Sequence, residues 1–82
     1  MDEWRALFGA RLRRARTEVP LTQTELAFLL KVAQTTVSAW ERGIAVPRDE
    51  LRPKIARVVR CPISVLFELP SDETNGDAGQ AA

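Results

Sequence analysis

Apolar positions repeat at helical spacing along most of the chain, as far as Leu69. Trp4, Leu7, Phe8, Leu12 and Ala15 form one stripe at three- and four-residue steps, which predicts a helix over residues 3–18. Asp2 is placed to cap it, and Val19-Pro20 ends it. The opposite face carries Arg11, Arg13, Arg14 and Arg16. A second helix is expected over about 23–30. Thr22-Gln23-Thr24-Glu25 reads as a capping box ahead of it, and Leu26, Leu29 and Leu30 make its core face. Lys31-Val32-Ala33 is then a tight turn. A third helix runs over about 34–42, with Val37 and Trp40 facing inward and Gly43 as a left-handed stop.

Beyond a loop at 44–48, a fourth helix is expected from about Glu50 to Val59, with Asp49 as its cap. Leu51, Ile55, Ala56, Val58 and Val59 are its apolar side, and Pro53 sits in the first turn, where a missing N–H is tolerated. Pro62 starts a short fifth helix over Ile63 to Leu69. From Pro70 onward no apolar residue larger than Ala remains, so residues 70–82 read as a disordered tail. No strand alternation and no internal repeat interrupts this series. The expected fold is therefore all-α: a compact five-helix domain over 1–69 followed by the tail.

Charge sharpens the division. The net charge of +1 over 82 residues looks unsuited to a nucleic-acid binder. Yet all twelve Lys and Arg lie at or before Arg60, against eight acids in residues 1–68, a net +4. Asp72, Glu73 and Asp77 give the tail −3. A basic body with an acidic tail is the pattern of a domain that meets phosphate.

Other chemistry is poorly supplied. There is no His, and Cys61 is alone, so neither a zinc ligand set nor an internal disulfide can be assembled. Cys61 reads as a small apolar core residue. No nucleophile–base pair and no Gly-rich phosphate loop occurs, which argues against an enzyme. No cofactor and no small-molecule ligand are expected. The N-terminal segment is interrupted by charges, and the longest apolar run, residues 26–30, cannot span a bilayer. A soluble, cytoplasmic protein with no membrane partner is expected.

Two short helices joined by three residues, at 22–30 and 34–42, with small Ala27 at their crossing, resemble the DNA-binding helix-turn-helix. The resemblance extends further. FGARLRRARTEVPLTQTELAFLL, then VSAWERG, then a Pro and an amphipathic helix, is similar to the Cro/repressor (XRE) family over about residues 6–69. That resemblance implies a five-helix domain whose third helix enters the major groove of operator DNA, usually as half of a homodimer. It points to a phage-type or mobile-element repressor acting by operator occupancy. A protein-interaction module that keeps the shape without reading DNA, such as an antirepressor or antitoxin partner, is the alternative.

The family pattern directs Gln34, Thr35, Ser38 and Ala39 toward base edges. Gln34 can make two hydrogen bonds to adenine, Thr35 and Ser38 can donate or accept, and Ala39 offers only apolar contact. Taken without that pattern, the same residues describe a solvated helix face. Gln23, at the N-terminus of the second helix, is implied to contact a phosphate and to brace the first recognition residue. Arg11, Arg13, Arg42 and Arg48 are phosphate candidates by charge and position, joined by Lys31 and Thr36. Arg16 and Glu41 are implied to form a partly buried ion pair.

Three residues depart from the family pattern. Lys31 and Arg60 stand where Gly is usual, and Ala33 replaces a Ser/Thr cap; Lys31 at positive φ and the lost cap cost about 1 kcal/mol each. Self-association is expected because one short helix reads too few base pairs for specificity. Ile63, Val65, Phe67 and Leu69 are the interface candidates, with Leu66 turned into the core, in a weak homodimer. The alternative is that the whole segment closes a monomer's core.

Overall fold

A computed structural model describes residues 2–68. Leu69 and the expected tail from Pro70 lie outside the described residues. Helix is the only regular structure among those described: α1 (Asp2–Glu18), α2 (Gln23–Leu30), α3 (Gln34–Glu41), a 3-10 turn (Asp49–Leu51), α4 (Arg52–Val58) and α5 (Ile63–Phe67). Among the described residues, no helix is long and apolar enough to cross a membrane.

The core is built from one stripe of each helix. Phe8, Leu12, Leu26, Val37, Ile55 and Leu66 are fully buried. Phe8 stacks between Trp4 and Phe67, with ring centroids 5.9 and 4.8 Å away. Asp2 is the first residue of α1 rather than a cap outside it. Arg16 does not share the solvent face with Arg13 and Arg14; it is only 8% exposed. On α2 the buried positions are Leu26, Ala27 and Leu30, whereas Leu29 is 43% exposed. Position 29 lies at the edge of the stripe, and Ala27 takes the inward place because a small side chain lets α2 and α3 approach.

The capping box at α2 is complete. Glu25 N donates to Thr22 Oγ1 at 3.0 Å, and Thr22 N donates to Glu25 Oε1 at 2.8 Å. Three helices end in the same way, through a left-handed residue after the last turn: Lys31 (φ 61°), Gly43 (φ 76°) and Arg60 (φ 57°). In each, the next residue's N–H reaches back to a carbonyl five residues earlier: Val32 to Ala27 (3.0 Å), Ile44 to Ala39 (2.9 Å) and Cys61 to Ala56 (3.0 Å). Only one of the three uses glycine. Ala33, the residue ahead of α3, gives that helix no side-chain cap.

The expected continuous helix from 50 to 59 is corrected. Asp49 opens a 3-10 turn instead of capping an α-helix, and α4 spans only Arg52–Val58. The reason is Pro53. It has no N–H to give the Asp49 carbonyl, so that oxygen accepts from Arg52 N–H, one residue sooner. α5 stops at Phe67, and Glu68 is extended (φ −68°, ψ 136°). Arg11 Nη1 holds the Glu68 carbonyl at 2.8 Å.

Candidate nucleic-acid interface

Four side chains from three helices form a continuous chain of hydrogen bonds. Arg16 on α1 donates to both oxygens of Glu41 at the end of α3, Nε to Oε2 at 2.6 Å and Nη2 to Oε1 at 3.0 Å. Its Nη1 donates to the Leu21 carbonyl at 2.7 Å. Gln23 Nε2, at the start of α2, donates to Glu41 Oε1 at 3.0 Å. Gln34 Nε2, at the start of α3, donates to Gln23 Oε1 at 2.6 Å.

Chemistry sets the direction of this relay. An ionised carboxylate only accepts, so Glu41 requires the NH₂ end of Gln23. The carbonyl end of Gln23 then faces Gln34 and requires the NH₂ end of that amide. Gln34 is left with one free N–H and a free carbonyl oxygen on an exposed side chain, the pair needed for a two-bond contact with adenine. The Arg16–Glu41 pair is buried, its side chains 10% and 3% exposed.

The other predicted residues fall into two groups. Thr35 is exposed beside Gln34, while Thr36, Ser38 and Ala39 are half-buried along α3. Lys31, Arg13, Arg42 and Arg48 are exposed. Arg13 and Arg42 share a shallow groove between α1 and the end of α3, and Arg14, not among the sequence candidates, lines it with them. Arg11 is left out of this group: it is half-buried on the α5 side of α1, bound to Glu68. On α5, Leu66 is buried as expected, Ile63 and Val65 are 43% and 48% exposed, and Phe67 is half-buried against Phe8. Leu69 is outside the described residues.

One residue that positions the site escapes sequence reading. Gly9 on α1 lies against the main chain at the end of α3, where an added Cβ would be 2.5 Å from the Trp40 oxygen and 2.6 Å from the Glu41 oxygen. A glycine among arginines and alanines in a helix carries no periodic signal; only the approach of α3 explains it.

A capped second helix bracing the exposed start of a third, within an all-helical domain, defines the helix-turn-helix class of protein. The chain belongs to the helix-turn-helix family HTH_3, whose model matches residues 12–66. It is similar to the HTH-type transcriptional regulator DicA of Escherichia coli (strain K12), 34% identical over 82% of this chain and 50% of that protein. It is also similar to the cryptic phage CTXphi transcriptional repressor RstR of Vibrio cholerae, 38% identical over 87% of this chain and 62% of that one. The chain thus spans between half and two thirds of these curated relatives.

Among solved structures, the restriction-modification controller protein C.AhdI from Aeromonas hydrophila superimposes with a TM-score of 0.73, 32% identity, and coverage of 80% of this chain and 96% of that one. The P22 c2 repressor in complex with synthetic operator 9T gives 0.72 and 26%, covering 76% and 94%. Hydroxypropylphosphonic acid epoxidase from S. wedmorenis gives 0.73 and 28%, but over 38% of its own chain, so the same fold also occurs as part of a larger enzyme.

Proposed function

We propose that the protein is a sequence-specific double-stranded DNA-binding transcription regulator, a repressor of phage or mobile-element type that acts by occupying its operator in the cytoplasm. The observation that carries this reading is the Arg16–Glu41–Gln23–Gln34 relay, which presents an oriented, half-free amide at the exposed start of α3. Gln34 reads a base, with Thr35, Ser38 and Ala39 completing the reading face. Gln23, Lys31, Thr36, Arg13, Arg42 and Arg48 take the phosphates. The likeness to a repressor solved on its operator supports the reading. Residues 1–69 act as the DNA-binding unit, and the acidic segment 70–82 is dispensable for it. The chain itself is not a catalyst. Two copies share an operator through the exposed Ile63 and Val65 of α5.

Selection of bound sequences from a random duplex pool, followed by a salt series on the winner, tests this. A defined motif is expected, with affinity falling by about 0.9 log units per log unit of salt for each phosphate neutralised. Sedimentation of the complex should find two subunits per operator. Recovery of no motif, or weak binding insensitive to salt, would refute the reading.

A further inference from the structure

The outer face of α2 leaves an apolar patch uncovered. Phe28 is 81% exposed and Leu29 43%. Together with Leu21, Thr24 and Glu25 they line a shallow groove of about 410 Å³. The core does not use Phe28 or Leu29, because the inward positions of α2 are Leu26, Ala27 and Leu30. Phosphate does not suit the groove either: its lining holds a carboxylate and no cation, on a body that is otherwise net positive. Contiguous exposed apolar side chains with a charged rim mark a surface that meets another molecule.

We propose that this groove docks a partner protein through a helix carrying an apolar anchor side chain flanked by Lys or Arg. Phe28, Leu29 and Leu21 receive the anchor. Glu25 receives the cation: its Oε1 is held by Thr22 N–H, and its other oxygen accepts no hydrogen bond among the described residues. A second copy fits poorly. A stable two-fold interface buries roughly 800 Å² per subunit, far more than this groove offers, and the same groove on a second copy has no cation in its lining to meet Glu25. The chain's own residues 69–82 fit no better, with Leu69 as their single large apolar side chain, three acids and no base. Phe28 lies five residues beyond Gln23, on the side of α2 away from its buried face, so a partner seated there leaves Gln34 uncovered. The docking therefore does not depend on the DNA reading.

The test uses the full chain as bait for a displayed library of short amphipathic helices with randomised apolar and charged positions. Phe28→Ala and Glu25→Gln serve as controls; Gln preserves the capping box while removing the charge. Wild type should enrich helices with a Leu, Met or Phe beside Lys or Arg. Their affinity should fall about tenfold or more on Phe28→Ala, and should weaken with Glu25→Gln and with salt. Both variants should melt and bind operator as wild type does. The proposal is overturned by failure to enrich, by enrichment of helices without basic residues, or by affinity that survives Phe28→Ala. Self-association abolished by Phe28→Ala would assign the groove to a second copy, and peptide binding strengthened by deleting 69–82 would assign it to the chain's own end; either result also overturns it.

Discussion

Gly9 on α1 packs its bare Cα against the main-chain carbonyl of Trp40 on α3, so closely that a methyl group there would sit 2.5 Å from the oxygen. Two effects oppose each other at this position. In an isolated helix, Gly→Ala stabilises by about 1 kcal/mol. Here the obstacle is backbone, which cannot swing aside as a flexible side chain would. Gly9→Ala should therefore destabilise by about 2–3 kcal/mol, read as a lower urea midpoint, and should weaken DNA binding by displacing α3. A rise in stability would show that α1 and α3 can separate freely.

The Arg16–Glu41 pair should respond asymmetrically to substitution. Arg16→Ala leaves a carboxylate that is 3% exposed without its cation, an expected cost of about 3–5 kcal/mol. Replacing both residues by apolar ones of similar size should cost much less than the two single changes added together. A double-mutant cycle by chemical denaturation checks this, and strict additivity would contradict the coupling.

Gln34 and Gln23 should be coupled in DNA binding; Gln34→Ala should be nearly silent in folding, whereas Gln23→Ala also removes a hydrogen bond to the buried Glu41 carboxylate and should destabilise by about 1.5–3 kcal/mol. Gln34→Ala is expected to cost about 1–3 kcal/mol at the operator and to relax preference at one base pair. Gln23→Ala should reproduce part of that loss by releasing the Gln34 amide. After Gln34→Ala, the additional loss from Gln23→Ala should shrink to its own phosphate contribution. Competition binding on operator variants reads both effects. An unchanged site preference in Gln34→Ala would remove it from the reading face.

Lys31 and Arg60 occupy left-handed backbone at φ 61° and 57°. Glycine relieves that strain, although it also frees the unfolded chain, so Lys31→Gly and Arg60→Gly should each stabilise by about 0.5–1 kcal/mol. Ala33→Ser should add about 1 kcal/mol by supplying the missing cap of α3. Thermal melts would expose an error through lowered midpoints.

Among the arginines of α1, the salt series should separate Arg13 from Arg11. Arg13 and Arg42 line one exposed groove, so each change to Ala should lower the salt slope by about 1. Arg11→Ala should leave the slope unchanged and act on stability, through the lost bond to Glu68. A slope change at Arg11 would return it to the phosphate-binding set.

Local rules were enough to read much of this protein from its sequence. The Thr22–Glu25 capping box, the turn at 31–33, the stop at Gly43 and the inward Val37 and Trp40 depend on neighbours within a few residues. Short-range sterics and hydrogen bonding decide such features before any helix meets another. The family pattern extended that reading to the Arg16–Glu41 pair and to Gln23 bracing Gln34. What the tertiary structure alone decided concerns residues that meet from distant helices. It placed Gly9 under α3, bonded Gln23 to Glu41 and turned Leu29 outward. It also divided the other arginines of α1, sending Arg11 toward α5 and Arg13 toward Arg42. Periodicity assigns a residue to a face of its own helix, but which neighbour covers that face, and how closely, is set by the packing of all five.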